Sequence, residues 1–225
     1  KKIDKGSQLL NIEGELLFSL QSSCEGWITD HSFSILYEYQ DAAPLKVNNT
    51  ISTYESYDGQ DFQFFASRQS NDQDSEQTNG HLDHSQNIRQ VTYTKPEQKI
   101  LPLSLETLLP MQHTYEILDA AQQGKKFINL PLFDGSNDEG TMDVSAFIIS
   151  ANGSQYHTDP SQSLYKIDLA FFQQNSKTEQ AEYEITIYIH KSGIISYMLV
   201  NYGDFTIAQK LKSSEILEKT TCKAL

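Results

Sequence analysis

Six histidines and thirty acidic residues are the side chains with which this chain could do chemistry. The tightest group is His81-Leu82-Asp83-His84. On a strand His81 and Asp83 share a face, so an imidazole and a carboxylate could reach one cation. A zinc site wants three or four oriented ligands, and no second cluster stands at a telling spacing. Solvated histidines beside a polar loop are therefore the expectation, and a metal is not. Asp134-Gly135-Ser136-Asn137-Asp138-Glu139-Gly140 is rich in oxygen donors, as a hard cation requires. Its glycine and acidic positions fall out of the EF-hand register, so a surface turn is expected there.

Nucleophilic chemistry has no better support. The chain has no Gly-x-Ser-x-Gly, P-loop, dinucleotide fingerprint or His-Glu-x-x-His. Cys24 as a nucleophile would need a histidine partner and a lowered pKa. Paired carboxylates that cleave a glycan remain an alternative, because such pairs are assembled across long sequence distances. With thirty acids no pair stands out. The chain reads as a non-enzyme with no catalytic residues, cofactor or metal, and an envelope-remodelling glycan hydrolase is the alternative. The two cysteines, Cys24 and Cys222, lie near opposite ends. They are either two unrelated buried thiols or one disulfide, whose loop of about 200 residues the chain-entropy treatment values at up to ~5 kcal/mol. Spacing does not choose between them.

Strands must position whatever these side chains do. Residues 9–21, 27–39 and 45–57 alternate apolar and polar, and Asp58-Gly59 signals a two-residue hairpin into 61–68. Residues 69–80 carry almost no apolar side chain and read as a solvated loop. Strand signal returns over 81–94, and Pro96 and Pro102 bracket a connection. Further strands are expected at 141–150, 164–173, 183–190, 194–202 and 205–217, with a short one at Leu130-Pro131-Leu132-Phe133. The one helical pattern begins near Pro110. Met111, Tyr115, Leu118 and Ala121 or Gln122 recur at three- and four-residue steps, and Ile117 widens the stripe. His113 or Thr114 starts it, and Gly124 followed by Lys125 and Lys126 stops it. About ten or more strands, one helix and no βαβ alternation predict an all-β, mainly antiparallel fold. Its form is a curled, spiral-like many-stranded barrel with the helix packed on or in it. No composition break divides the chain, so 1–225 is expected as a single domain, with 1–8 as a disordered tail.

Composition limits the partners. Apolar residues make up 38% and aromatics 11%, enough for a core. A formal charge of −13 leaves no basic stripe for nucleic acid. No apolar run nears the roughly 18 residues of a membrane-spanning helix. The chain carries no signal peptide at its start, a pattern shared by processed secreted proteins and shortened chains.

Three segments together carry a resemblance: Cys24-Glu25-Gly26-Trp27 entering a strand; Leu108-Leu109-Pro110, Gly124-Lys125-Lys126-Phe127 and Pro131-Leu132-Phe133-Asp134-Gly135-Ser136 around the helix; and Tyr202-Gly203-Asp204-Phe205 before Cys222. From about Gly14 to Cys222 the chain resembles the EipB family of periplasmic cell-envelope integrity proteins. The polar stretch 69–80 and Asn137 depart from the pattern. The resemblance implies a spiral-like barrel and a disulfide between Cys24 and Cys222. It also implies export to the periplasm, a role in envelope integrity, and a tetratricopeptide-repeat protein as functional partner. The family's fold is similar to that of lipoprotein carriers, so a lipid or acyl ligand is expected, with Trp27, Phe33, Phe133 and Phe205 as cavity-lining candidates.

Overall fold

The structure, a computed structural model, describes residues 2–3, 8–71, 73, 75–85, 88–136, 138, 140–174, 180–203, 205–217 and 220–222. Period-two alternation produces most of its elements. After β1 (Lys2–Ile3), seven strands form a sequential antiparallel meander. They are β2 (Leu9–Ser22), β3 (Gly26–Tyr39), β4 (Leu45–Ser56), β5 (Phe62–Ser70), β6 (Glu76–Ser85), β7 (Ile88–Lys95) and β8 (Lys99–Pro102). Helix α1 (Pro110–Gln122) follows, then β9 (Phe127–Leu132), β10 (Met142–Ser150), β11 (Leu164–Gln173), β12 (Tyr183–His190), β13 (Ile195–Asn201) and β14 (Phe205–Lys210). These later strands and β1 make a second seven-stranded sheet in the order β1-β14-β13-β12-β11-β10-β9. The fold is thus mainly antiparallel β, as the sequence predicts, and among the described residues it has one helix and no pairing between the two edge strands of either sheet.

The chain divides into two compact units. One holds the meander with Phe133–Gly140 and the C-terminal segment from Ile216. Its core is Phe62, Phe64, Leu82, Val91, Tyr93, Leu103, Leu109 and Phe133. Phe133 meets Phe62, Phe64 and Tyr93 edge-on at 6.1, 5.6 and 6.4 Å between ring centroids, the arrangement that ring quadrupoles favour. Gly135 is required here: its φ is +69°, and a Cβ on it would lie 2.5 Å from Phe64 Cγ.

The other unit runs from Gln112 to Leu132 and from Thr141 to Glu215, with the first seven residues. Met142, Val144, Ala146 and Ile148 alternate inward on β10 and face Ile167, Leu169 and Phe171 across the register. Ile117, Leu118, Ala120 and Ala121 of α1 pack on this apolar surface, and the two alanines let the helix approach closely. Each isoleucine, leucine, valine, methionine or phenylalanine of this cluster contributes about 1.5–3 kcal/mol when fully buried, and the alanines less. Past the helix Gly124 takes φ +75°, while Lys125 N–H bonds the Ala120 carbonyl at 2.9 Å and Gly124 N–H bonds Ala121 at 3.1 Å. This is a Schellman cap.

Several boundaries differ from the sequence reading. The helix begins at Pro110, not His113 or Thr114, because proline suits the first helical position and no N–H is lost there. Tyr115 is half-exposed, so the buried stripe runs His113, Ile117, Leu118, Ala120, Ala121. Residues 76–80 are not loop: they pair with β5, where Thr78 opposes Ala66 and Gly80 opposes Phe64. Backbone hydrogen bonds make that strand without any apolar pattern. The stretch 81–94 divides between β6 and β7, and the Pro96–Pro102 connection contains β8, an edge strand that tolerates Pro102. β14 ends at Lys210, well short of 217. Within the expected N-terminal tail, Lys2–Ile3 pairs with Thr206 and Phe205.

Candidate functional site

The two cysteines join. Cys24 and Cys222 form a disulfide with Cα atoms 5.5 Å apart and a sequence separation of 198. The turn that presents Cys24 is closed locally: Ser23 N–H bonds the Gly26 carbonyl at 2.8 Å, and Ser23 Oγ accepts the Gly26 N–H at 2.9 Å. Thr220 Oγ1 donates to the Ser22 carbonyl at 2.6 Å, so the tail is tied beside the bond as well. Gly26 itself sits directly on the β4 backbone, where any Cβ would collide with the Glu55 carbonyl oxygen. The Cys-Glu-Gly-Trp motif therefore has a covalent and a steric reason.

From Trp27 onward, β3 turns alternate residues to one face. Trp27, Thr29, His31, Phe33, Ile35 and Tyr37 are each covered to some degree, while Ile28, Asp30, Ser32, Ser34 and Leu36 between them are exposed. Register carries this face across neighbours in rows: Leu16–Phe33–Asn49, Phe18–His31–Ile51–Ala66 and Leu20–Thr29–Thr53–Phe64. The rows lead from the exposed edge strand β2 to the aromatic core of β5 to β8. At the core end the face is sealed. At the β2 end it is open: Phe18 is 54% exposed and Leu20 37%. The Phe18 and His31 rings meet at 4.6 Å, and Trp27 meets Tyr57 edge-on at 5.1 Å.

A few polar groups punctuate this face. Thr29 and Thr53 hydroxyls hydrogen-bond each other at 2.6 Å, leaving their position apolar in effect. Asn49 Oδ1 is buried without a hydrogen-bond partner, a condition that costs about 1–3 kcal/mol until a donor arrives. Burial lowers the His31 pKa despite the opposing charges of Asp30 and Asp134, so its ring is a neutral part of the wall. Glu55 is the single buried carboxylate among the described residues. Its Oε2 accepts the Met111 N–H at 2.7 Å, at the first turn of α1. Nearby Arg89, also buried, donates to the Thr107 carbonyl. Burial lowers its pKa, and the Glu55 charge offsets part of that.

The cavity-lining candidates are dispersed. Trp27 and Phe33 share the half-open face of β3. Phe133 is fully buried among Phe62, Phe64 and Tyr93, so it is a core ring and not a cavity wall. Phe205 begins β14 in the other sheet, where its ring lies 5.1 Å from Tyr202. Of the motif positions, Pro110 and Gly124 bound the helix, and Asp134 Oδ1 accepts the Ser136 N–H at 2.9 Å to hold the turn at Gly135. Gly203 has φ +85° and donates to Asn201 Oδ1 at 3.1 Å, while Asp204 lies outside the described residues. His81 Nε2 and Asp83 Oδ1 do share a face, 3.2 Å apart, but Thr92 also occupies Asp83, and the His84 side chain is outside the described ones. Among the described residues no three His, Cys, Asp or Glu side chains converge as a metal site would need. Sequence reasoning missed Phe18, Leu20, Asn49 and Glu55. For the first two, exposed apolar residues on alternate positions of β2 were the available signal.

Comparison with known proteins places these features. A family model described as EipB-like matches residues 1–218. The cell envelope integrity protein EipB of Brucella abortus (strain 2308) is 23% identical over 235 residues, covering 98% of this chain and 83% of that protein. A crystal structure of a beta-barrel-like protein of a domain of unknown function, also from Brucella abortus, matches with a TM-score of 0.85 and 22% identity, over 97% of this chain and 94% of that one. At this identity the likeness is one of fold.

Proposed function

This chain belongs to the EipB-like family, and from that premise we propose that it supports cell-envelope integrity by sheltering an acyl chain, free or on a lipidated partner, against the β2–β4 face. The observation that carries this reading is the graded exposure of that face, from the sealed aromatic core to the open Phe18 and Leu20. An acyl chain laid along the rows would cover those side chains, and each buried methylene contributes about 0.8 kcal/mol. In this reading the chain is one functional domain, exported to the periplasm, non-enzymatic, with a tetratricopeptide-repeat protein as functional partner. The relative named as a cell envelope integrity protein supports the envelope role. The hydrolase alternative needs a second buried carboxylate within about 5–10 Å of the first; among the described residues Glu55 has none, and it is already engaged at the helix.

Native mass spectrometry of gently purified protein, followed by lipid extraction, tests the proposal. Lipid-sized adducts are expected, together with displacement of a fluorescent fatty acid. Phe18→Asp and Leu20→Asp at the open end should weaken that binding at least about tenfold without unfolding the chain. Protein that carries no lipid and binds neither fatty acid nor an acylated peptide would refute it.

A further inference from the structure

The loop 151–163 joins β10 to β11, and one side chain crosses it. His157 Nδ1 lies 2.7 Å from the Asn152 carbonyl oxygen, and Nε2 lies 2.9 Å from the Gln162 carbonyl oxygen. Carbonyl oxygens only accept, so both contacts are hydrogen bonds only when both ring nitrogens carry protons. A neutral ring keeps one bond and turns a lone pair toward the other oxygen. The bonds to Gln162 and then Asn152 raise the His157 pKa, and the Asp159 carboxylate adds to them. The preceding residue, Tyr156, stacks on Tyr197 of β13 at 4.0 Å with planes 15° apart, and tilts onto Tyr188 of β12 at 4.6 Å. Tyr188 and Tyr197 stand directly opposite each other in the register. The tip of the loop therefore covers a tyrosine pair.

We infer that this loop is a proton-held strap: the His157 imidazolium ties its two limbs together and keeps Tyr156 seated on Tyr188 and Tyr197.

The groups facing His157 agree with a single positive charge there. Asp159 stays ionised, its pKa lowered by hydrogen bonds from Ser161 and Gln162. The His190 ring, at the end of β12, lies 5.6 Å away and is buried. Burial first, and the His157 charge second, lower its pKa, so it stays neutral and shares a 3.1 Å hydrogen bond with Thr158 Oγ1. Lys191 follows it, with its N–H on the Ser163 carbonyl. Burial raises the Tyr197 phenol, which stays protonated. Since the strapped form raises the His157 pKa, the strap is complete below the free-histidine value and is lost as pH rises through the raised one. Opening is an alkaline event. The base of the loop stays closed at any pH by Ala151 N–H to Leu164 O at 2.8 Å and Leu164 N–H to Asn152 Oδ1 at 2.7 Å, so the change concerns the limbs beyond it and the tip.

Imidazole nitrogen NMR and amide hydrogen exchange of residues 153–162, at about pH 5.5 and about pH 8.5, test the strap. At the lower pH both His157 nitrogens should be protonated, and His157 should titrate above the free-histidine value. Loop protection, corrected for intrinsic exchange, should fall about tenfold toward the higher pH. His157→Gln should exchange fast at both pH values, and His190→Asn should keep the wild-type response. A His157 that titrates at or below the free value overturns the inference, and so does a pH response that survives in His157→Gln. Should His190→Asn unfold, the imidazole titration of the wild type decides alone, because it assigns the proton to His157 directly.

Discussion

The carboxylate of Glu55, on β4, accepts the backbone N–H of Met111 at 2.7 Å and so caps the first turn of α1 from another element. The first N–H groups of a helix have no partner within it, and the helix dipole favours negative charge there. A buried carboxylate is costly on its own, and this contact is part of what makes it tolerable.

Glu55→Ala should therefore remove a charge-assisted hydrogen bond and leave both the helix N–H and Arg89 short of compensation. A loss of about 2–3 kcal/mol is expected in urea denaturation, with Glu55→Gln losing less because its amide oxygen still accepts. Equal stability of wild type and Glu55→Ala would show that water caps the helix just as well.

Two glycines with similar φ should behave differently. Gly124 has φ +75° and open space around it, so Gly124→Ala carries only the left-handed backbone penalty of about 1 kcal/mol. Gly135 has φ +69° and the Phe64 ring against it, so Gly135→Ala should cost more than about 2 kcal/mol, as backbone strain and a clash in the aromatic core add. Thermal melts of the two variants side by side check this ranking.

Oxidised protein should show no alkylatable thiol by mass analysis under non-reducing conditions. Cys24→Ser or Cys222→Ser should lower stability by about 2–5 kcal/mol, since the bond closes a loop of 198 residues that the unfolded chain would otherwise explore freely.

Acid should destabilise the fold through histidines buried in neutral form. Burial pushes His113 from 6.5 down to about 4 and lowers His31 as well, and His113 Nε2 has no hydrogen-bond partner to favour a charge. Between those values the unfolded chain binds the proton and the folded one does not, so stability is full above about pH 6.5 and falls as pH drops toward 4. His113 alone accounts for ~3 kcal/mol of that fall. His113→Leu should hold stability at neutral pH and flatten the acid limb of a stability-versus-pH curve. An unchanged limb would assign the acid sensitivity elsewhere.

Much of this protein is written in short-range pattern. Alternation in Met142, Val144, Ala146 and Ile148, or in Trp27 and Phe33 six residues apart, names both a strand and a shared face, because successive side chains on a strand point to opposite sides. Gly124 announces the helix end, since a left-handed cap tolerates glycine best. Elements without a side-chain signature stayed hidden: Glu76–Gly80 is a strand only because β5 lies beside it, and Pro102 closes an edge strand that its own sequence argues against.

The site shows the same division. The strand-rich class, the helix end and the family-specific motifs were legible in the residues alone. The rows that join Phe18 to His31 and Ile51, the enclosure of Phe133 and the capping of Met111 by Glu55 were not. Each depends on register or contact between distant segments, 56 residues apart in the last case, and local pattern carries no information about which distant backbone will supply the partner.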